Sequence, residues 1–313
     1  MVFRRALIAS LLTVFATLAF GSPITFAIVD DPNATIDTVV NGINRSGQMV
    51  GGYDSYGFVD TNGIFTTLSD PRETFNTVAN GINNSGQIVG FYEGSSVDHG
   101  FLDSGGTFTT IDDPNGTNGT FLTGINDSGE IVGYYYDAFD VPHAFVDVNG
   151  AFTTINDPNA TNGTEALGIN DAGEVVGIYS QLGIGTSGFV YANGTFTTID
   201  TPDTNDTRAT GINDAGAITG VYGLGVQVAF VDEDGTLTTI PDPSSNEVAT
   251  PSGINDSGQV VGTITPQGAA GGVDGFVTPP IAMADGDPAS VAMIAASMIM
   301  ILLSQMWRKQ RRH

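Results

Sequence analysis

The chain reads as an all-β protein, a six-bladed β-propeller of four-stranded antiparallel blades closed by pairing its N-terminal strand with its C-terminal strand. Three observations predict this. Gly-Ile-Asn recurs six times at near-constant spacing, each copy is followed by the same series of strand-like segments, and the array starts and ends one segment out of phase.

The tripeptide begins at Gly42, Gly81, Gly124, Gly168, Gly211 and Gly253, at intervals of 39, 43, 44, 43 and 42 residues. Self-similarity at that period marks an array of supersecondary units. Each copy runs on as Asn-x-(Ser/Ala)-Gly and then an apolar segment such as Gln87-Ile88-Val89-Gly90-Phe91-Tyr92. After a variable loop comes a Gly-Phe or Ala-Phe pair, at Phe58, Phe101, Phe145, Phe189, Phe230 and Phe276. Asn62-Gly63, Asn149-Gly150, Asn193-Gly194 and Asp234-Gly235 then supply the positive-φ pair of a tight hairpin. Phe-Thr-Thr-Ile and its variants follow, β-branched and aromatic, suited to a pleated half-buried surface. A Pro-containing turn such as Asp112-Asp113-Pro114-Asn115 ends the segment, because Pro cannot extend a ladder. Four short strands in about forty residues is the content of one propeller blade.

The ends of the array support a ring. Thr25-Phe26-Ala27-Ile28-Val29-Asp30-Asp31-Pro32 matches the fourth segment of a repeat, Thr107 to Pro114, and Gly275-Phe276-Val277 is a third segment with no fourth behind it. Pairing the two completes a sixth blade and removes exposed sheet edges. The propeller is therefore expected over residues 22–282.

The flanks read as addresses. Residues 1–21 form a secretory signal: Arg4 and Arg5, an apolar run from Ala6 to Phe20, and small residues at Ala19 and Gly21. A second cleavage site after Ala27 would remove half of a strand that the fold needs. A linker, 283–288, leads to Ala289–Trp307, 19 residues without a charge, and then to the basic tail 308–313. As a helix the apolar stretch would be about 28 Å long, near the ~30 Å of a bilayer's hydrocarbon core. The basic tail should stay cytoplasmic, leaving the repeats outside. The chain is thus expected to be exported and held at the cell surface by a membrane-spanning helix, unless the tail is cleaved.

Charge removes one class of function. Between residues 22 and 284 three basic residues, Arg45, Arg72 and Arg208, face 32 acidic ones, a formal charge of −29. Nucleic-acid binding rests on Lys and Arg neutralising phosphates, so no nucleic-acid partner is expected. The absence of Cys removes disulfides and thiolate metal sites together.

The repeats resemble the bacterial extracellular HAF-repeat proteins, whose hallmark is His-Ala-Phe, a hairpin, a Phe-Thr-x-Ile strand and Gly-Ile-Asn-x-x-Gly-x-Ile-Val-Gly. Pro142-His143-Ala144-Phe145-Val146-Asp147 matches fully and Asp98-His99-Gly100-Phe101 nearly, while the other four copies lack the His. The resemblance covers roughly residues 25–278 and implies an extracellular repeat protein without bringing an activity. The tail is similar to a PEP-CTERM-type sorting signal, with Asp285-Gly286-Asp287-Pro288 where that signal has Pro-Glu-Pro.

Candidate site residues are few. Tyr53, Tyr92, Tyr135, Tyr179 and Tyr222 share one repeat position, with Ile264 as the sixth member, and could offer a sugar or peptide a set of stacking faces. The competing reading packs them between blades with their hydroxyls bonded. The six Asn of Gly-Ile-Asn (Asn44, Asn83, Asn126, Asn170, Asn213 and Asn255) are expected to hydrogen-bond the adjacent turns. His99 and His143 are equivalent, but equivalent positions on adjacent blades usually lie well apart. No catalytic residue and no metal centre is assigned. Asp232-Glu233-Asp234-Gly235 lacks EF-hand spacing. The Asp and Asn clusters at 112–118 and 156–162 could bind Ca²⁺ weakly, and otherwise no cofactor is expected. The function expected is non-catalytic: a surface propeller that binds matrix, polysaccharide or a protein partner. The alternative is a secreted glycan-active enzyme using paired carboxylates in the central channel.

Overall fold

The computed structural model describes residues 24–281, apart from 73–74, 200, 202–205, 225–226 and 268–271. The signal region, the linker, the apolar stretch with its expected helix and the basic tail lie outside the described residues.

Twenty-four strands are described. β1 (Ala27–Val29) stands first. Blade 1 is β2 (Thr38–Ile43), β3 (Met49–Tyr53), β4 (Tyr56–Thr61) and β5 (Ile64–Leu68). Blade 2 is β6 (Thr77–Ile82), β7 (Gln87–Glu93), β8 (Asp98–Ser104) and β9 (Thr107–Thr110). Blade 3 is β10 (Thr120–Ile125), β11 (Ile131–Tyr136), β12 (Pro142–Val148) and β13 (Ala151–Thr154). Blade 4 is β14 (Thr164–Ile169), β15 (Val175–Gln181), β16 (Gly185–Ala192) and β17 (Thr195–Ile199). Blade 5 is β18 (Thr207–Ile212), β19 (Ile218–Tyr222), β20 (Val228–Glu233) and β21 (Thr236–Ile240). The last sheet takes β22 (Glu247–Ile254), β23 (Val260–Pro266) and β24 (Asp274–Val277), with β1 as its fourth strand. Five sheets are antiparallel meanders and the sixth is a three-stranded meander completed by β1, so the fold is an all-β propeller of six four-stranded blades.

In the last sheet β1 lies antiparallel to β24, with Ala27 opposite Val277, Ile28 opposite Phe276 and Val29 opposite Gly275. Phe26 meets Phe276 edge-on at 5.1 Å between ring centres.

Local chemistry explains the regularity. Asn149 and Gly150 have φ of 54° and 85°, the two left-handed positions that an Asn-Gly hairpin turn needs. The six Phe of the third strands are fully buried, one per blade. Each faces a Gly of the second strand, and a Cβ on Gly90 would stand 3.0 Å from the Phe101 ring.

Two faces result. The Asn-x-(Ser/Ala)-Gly turns and the outer hairpin turns occupy one, called here the turn face. The loops between second and third strands, and those between blades, occupy the other, the loop face.

Candidate functional site: a cavity built on six bulges

The innermost strand of every blade carries a β-bulge at one place. Pairing slips between Val40 and Gly42, Ala79 and Gly81, Leu122 and Gly124, Ala166 and Gly168, Ala209 and Gly211, and Pro251 and Gly253. The skipped residue, directly before Gly-Ile-Asn, is left out of the ladder and re-aimed, as bulges beside functional sites commonly do. These residues are Asn41, Asn80, Thr123, Leu167, Thr210 and Ser252, and all six line one axial cavity of about 450 Å³.

The glycine after each bulge has a different task. A Cβ on Gly81 would stand 3.1 Å from the Gly124 Cα, and one on Gly211 would stand 2.9 Å from the Gly253 Cα. Inner strands therefore meet backbone to backbone, which only Gly permits. The Asn that follows ties the blades in a circuit. Asn44 Nδ2 donates to the Asn83 carbonyl at 3.2 Å, Asn83 to Asn126 at 3.1 Å and Asn126 to Asn170 at 3.2 Å. Asn170 continues to Asn213 at 3.2 Å, Asn213 to Asn255 at 3.1 Å, and Asn255 returns to Asn44 at 3.1 Å. Each Oδ1 meanwhile accepts from its own turn, as at Asn83, where the Ser85 and Gln87 N–H groups lie 3.1 and 2.9 Å away. The turn bonding expected from sequence is present, and the bond to the neighbouring blade is an additional role.

A second, broken circuit runs through the bulges. Asn41 donates to the Ala79 carbonyl at 3.0 Å, Asn80 to Leu122 at 2.9 Å, Thr123 to Ala166 at 2.9 Å and Thr210 to Pro251 at 3.0 Å. Leu167 has no polar group to give. Position by position the bulges thus differ where the neighbouring Gly-Ile-Asn is constant.

The cavity wall is equally uneven. On blades 2 and 3, Phe91 and Phe121 lie 4.9 Å apart and Phe121 stacks on Tyr134 at 5.1 Å and 15°. Tyr136 closes the cluster edge-on at 5.7 Å from both Phe121 and Tyr134. Across the axis, on blades 5 and 6, the polar lining is Arg208, Thr210, Gln227, Thr250 and Ser252, with Val221 and Pro251 beside them. Glu165 of blade 4 lies within charge range of Tyr134 and Arg208. Burial pushes its carboxyl above the usual range and Arg208 pulls it partly back. Burial, then the Glu165 charge, pushes the Tyr134 hydroxyl up as well. Among the described lining residues none is a carboxylate. Beyond the cavity, Ile36, Phe75, Phe139, Leu182, Ile184 and Leu224 stand 58–85% exposed on loops of the same face.

The opposite mouth of the axis is narrow, about 70 Å³. Its rim is Arg45, Asn84, Asp127, Asp171, Asp214 and Asp256, and it is closed on itself. The Asp127 N–H donates to Asp171 at 2.8 Å, Asp171 to Asp214 at 2.9 Å and Asp214 to Asp256 at 2.9 Å. Arg45 bridges Asp214 at 3.2 Å and Asp256 at 2.8 Å.

The tyrosines singled out from sequence stand elsewhere. Tyr53, Tyr92, Tyr135 and Tyr179 are 4–7% exposed, each within its own blade. Tyr53, Tyr92 and Tyr179 hydrogen-bond Thr67, Thr110 and Thr198 of the outer strands at 2.7, 3.0 and 3.2 Å. Tyr222 is half-buried beside Phe230, and Ile264 is buried. The structure does not bring the five together, and none lines the cavity. His99 stacks on Tyr92 with Nδ1 2.8 Å from Asp112, and His143 stacks on Tyr135 with Nδ1 2.8 Å from Asn156. They belong to separate blades. Among the described residues no three His, Asp or Glu side chains converge as a metal centre.

Reading the repeats column by column is the signal that finds the cavity. The residue before Gly-Ile-Asn runs Asn, Asn, Thr, Leu, Thr, Ser, and the residue two before that runs Val, Val, Phe, Glu, Arg, Thr, beside columns that hardly vary.

No family model matches the chain, and no curated protein does. Solved structures do. A lectin, SapL1, in complex with alpha methyl fucoside is similar at a TM-score of 0.51 and 12% identity, over 81% of this chain and 98% of that one. A protein of unknown function from Dyadobacter fermentans gives 0.51 and 11%, over 81% and 97%. TolB from Acinetobacter baumannii gives 0.52 and 12% over 77% of this chain, which spans 63% of the TolB chain. At these identities the likeness is one of fold.

Proposed function

We propose that this chain is a non-catalytic binding propeller whose axial cavity on the loop face receives a saccharide unit of an extracellular polysaccharide. The observation that carries the reading is the Phe91–Phe121–Tyr134 cluster across the cavity from the hydroxyl, amide and guanidinium groups of blades 5 and 6. A sugar ring offers an apolar C–H face to aromatic rings and hydroxyls to polar side chains, and a mostly apolar pocket with a few placed polar groups suits such a ligand. The volume falls within the usual span of small-ligand sites, ~300–1,000 Å³. The exposed apolar residues around the mouth would hold further units of a polymer. A saccharide is also what the similar lectin holds, although that likeness extends to fold alone.

The same reading includes export by the signal region, attachment through the apolar stretch 289–307, and the β1–β24 pairing as the clasp of the ring. The enzyme alternative needs two carboxyls flanking the scissile bond. Glu165, whose charge acts on Tyr134 and Arg208, would supply one, so a cleavage assay on any glycan that binds decides between the two.

The test is a glycan array probed with the full chain and with Phe121→Ala. Binding to one sugar class that falls at least tenfold in the variant supports the reading. Binding unaffected by the variant moves the site elsewhere, and a blank array overturns the saccharide assignment.

A further inference from the structure

Four loops between blades carry the same turn: Asp31-Pro32-Asn33, Asp70-Pro71-Arg72, Asp113-Pro114-Asn115 and Asp157-Pro158-Asn159. Each Asp is almost wholly buried, at 1%, 0%, 2% and 3% exposure. Its Oδ1 accepts the N–H two residues on, at 2.8, 2.9, 2.8 and 2.8 Å. Its own N–H donates to a Thr seven residues on, at 3.2, 3.1, 3.1 and 3.1 Å. Up to this point the four sites are copies.

The other carboxylate oxygen separates them. At Asp70 the Arg72 side chain folds back, with Nη2 2.7 Å from Oδ2 and Nε 2.9 Å from Oδ1. Its Nη1 reaches Thr110 Oγ1 on the outer strand of blade 2, and the guanidinium lies 5.4 Å over the Tyr92 ring. At Asp31, Asp113 and Asp157 an Asn replaces the Arg; Asn33 and Asn115 donate Nδ2 to Oδ1 at 3.0 Å, and Oδ2 is enclosed with no hydrogen-bond partner among the described residues. A buried carboxylate oxygen without a donor or counter-charge is costly, so three at one repeat position call for an explanation.

We propose that Asp31, Asp113 and Asp157 each take a small hard cation where Arg72 places its guanidinium at Asp70. The chain fills the fourth site with its own cation and leaves three to be filled from solution. The residues at the Thr110 position of the other three repeats are Thr67, Thr154 and Thr198, and the Tyr53 and Tyr179 hydroxyls are bonded to Thr67 and Thr198. A set made only of oxygen, with one carboxylate and neutral hydroxyls, matches calcium rather than zinc or copper. One formal charge per site implies weak binding, in the ~10⁻⁴–10⁻³ M range of extracellular calcium modules. These loops lie outside the axial cavity, so this proposal stands whether or not a saccharide binds there.

The test is calcium content after equilibrium dialysis of the full chain against millimolar CaCl₂, compared with Asn115→Arg and Arg72→Asn. Surface acids bind calcium diffusely, so the change between variants is the readout. Asn115→Arg is expected to lose one ion and Arg72→Asn to gain one, with the Tm of the wild type higher in calcium than in chelator. Equal content in all three proteins would overturn the proposal. So would a Tm that calcium leaves unchanged. If Asn115→Arg fails to fold, the gain at Arg72→Asn still decides.

Discussion

Glu165 shows how a single repeat position acquires its own chemistry. It stands where other blades carry Val39, Val78, Phe121, Arg208 and Thr250. Burial raises its carboxyl above the model-peptide value of 4.5, with Arg208 opposing. An acid whose folded pKa is raised holds its proton more tightly in the folded state. Its contribution to stability is whole below the unfolded value and is lost as pH rises through the folded one. Glu165→Gln should therefore gain stability over the wild type at pH 7 and lose that advantage near pH 4. Urea titrations at the two pH values check this, and an equal difference at both would contradict the assignment. The tyrosines show the opposite case. Their repeat equivalence is real, yet it places one in each blade, sealed against Thr67, Thr110 or Thr198 at three of the positions.

At the scale of the element, the bulge joins structure to site. Because the inner strand slips by one residue, the Gly of the second strand lies under a main-chain oxygen. A Cβ on Gly133 would come 2.0 Å from the Phe121 carbonyl oxygen. Gly133→Ala is expected to cost ~3 kcal/mol, the upper end of the usual overpacking range, since only backbone movement relieves that overlap. Chemical denaturation of the pair measures it, and a cost under ~1 kcal/mol would mean that the strand shifts freely. This element also marks how far the sequence could be read. The four strands per repeat were legible because Asn-Gly turns, buried Phe and Phe-Thr-Thr-Ile each have one local meaning. The Asn circuit and the bulges were not, because both are defined between neighbouring strands or blades. Gly-Ile-Asn itself looks like an ordinary strand end. The cavity was hidden for a related reason: its residues are those in which the repeats disagree, and attention to the shared motif passes over them.

At the scale of the molecule, the last sheet is held by residues from both ends of the described chain. Val29 is buried and Phe26 packs on Phe276. Deleting 24–30 removes three packed side chains, Ile24, Phe26 and Val29, and a full set of ladder bonds, and leaves β24 as a bare edge. A loss on the order of 4 kcal/mol is expected from the side chains alone, together with concentration-dependent self-association. Thermal unfolding and light scattering test it, and an unchanged Tm would remove the clasp role. The register of that sheet has one more consequence. Ala27 pairs with Val277, and the Ile281 N–H then bonds the Gly258 carbonyl, so the chain both enters and leaves beside the Asn turns. A tether following Ile281, as proposed, would therefore leave the propeller from the face opposite its aromatic hollow.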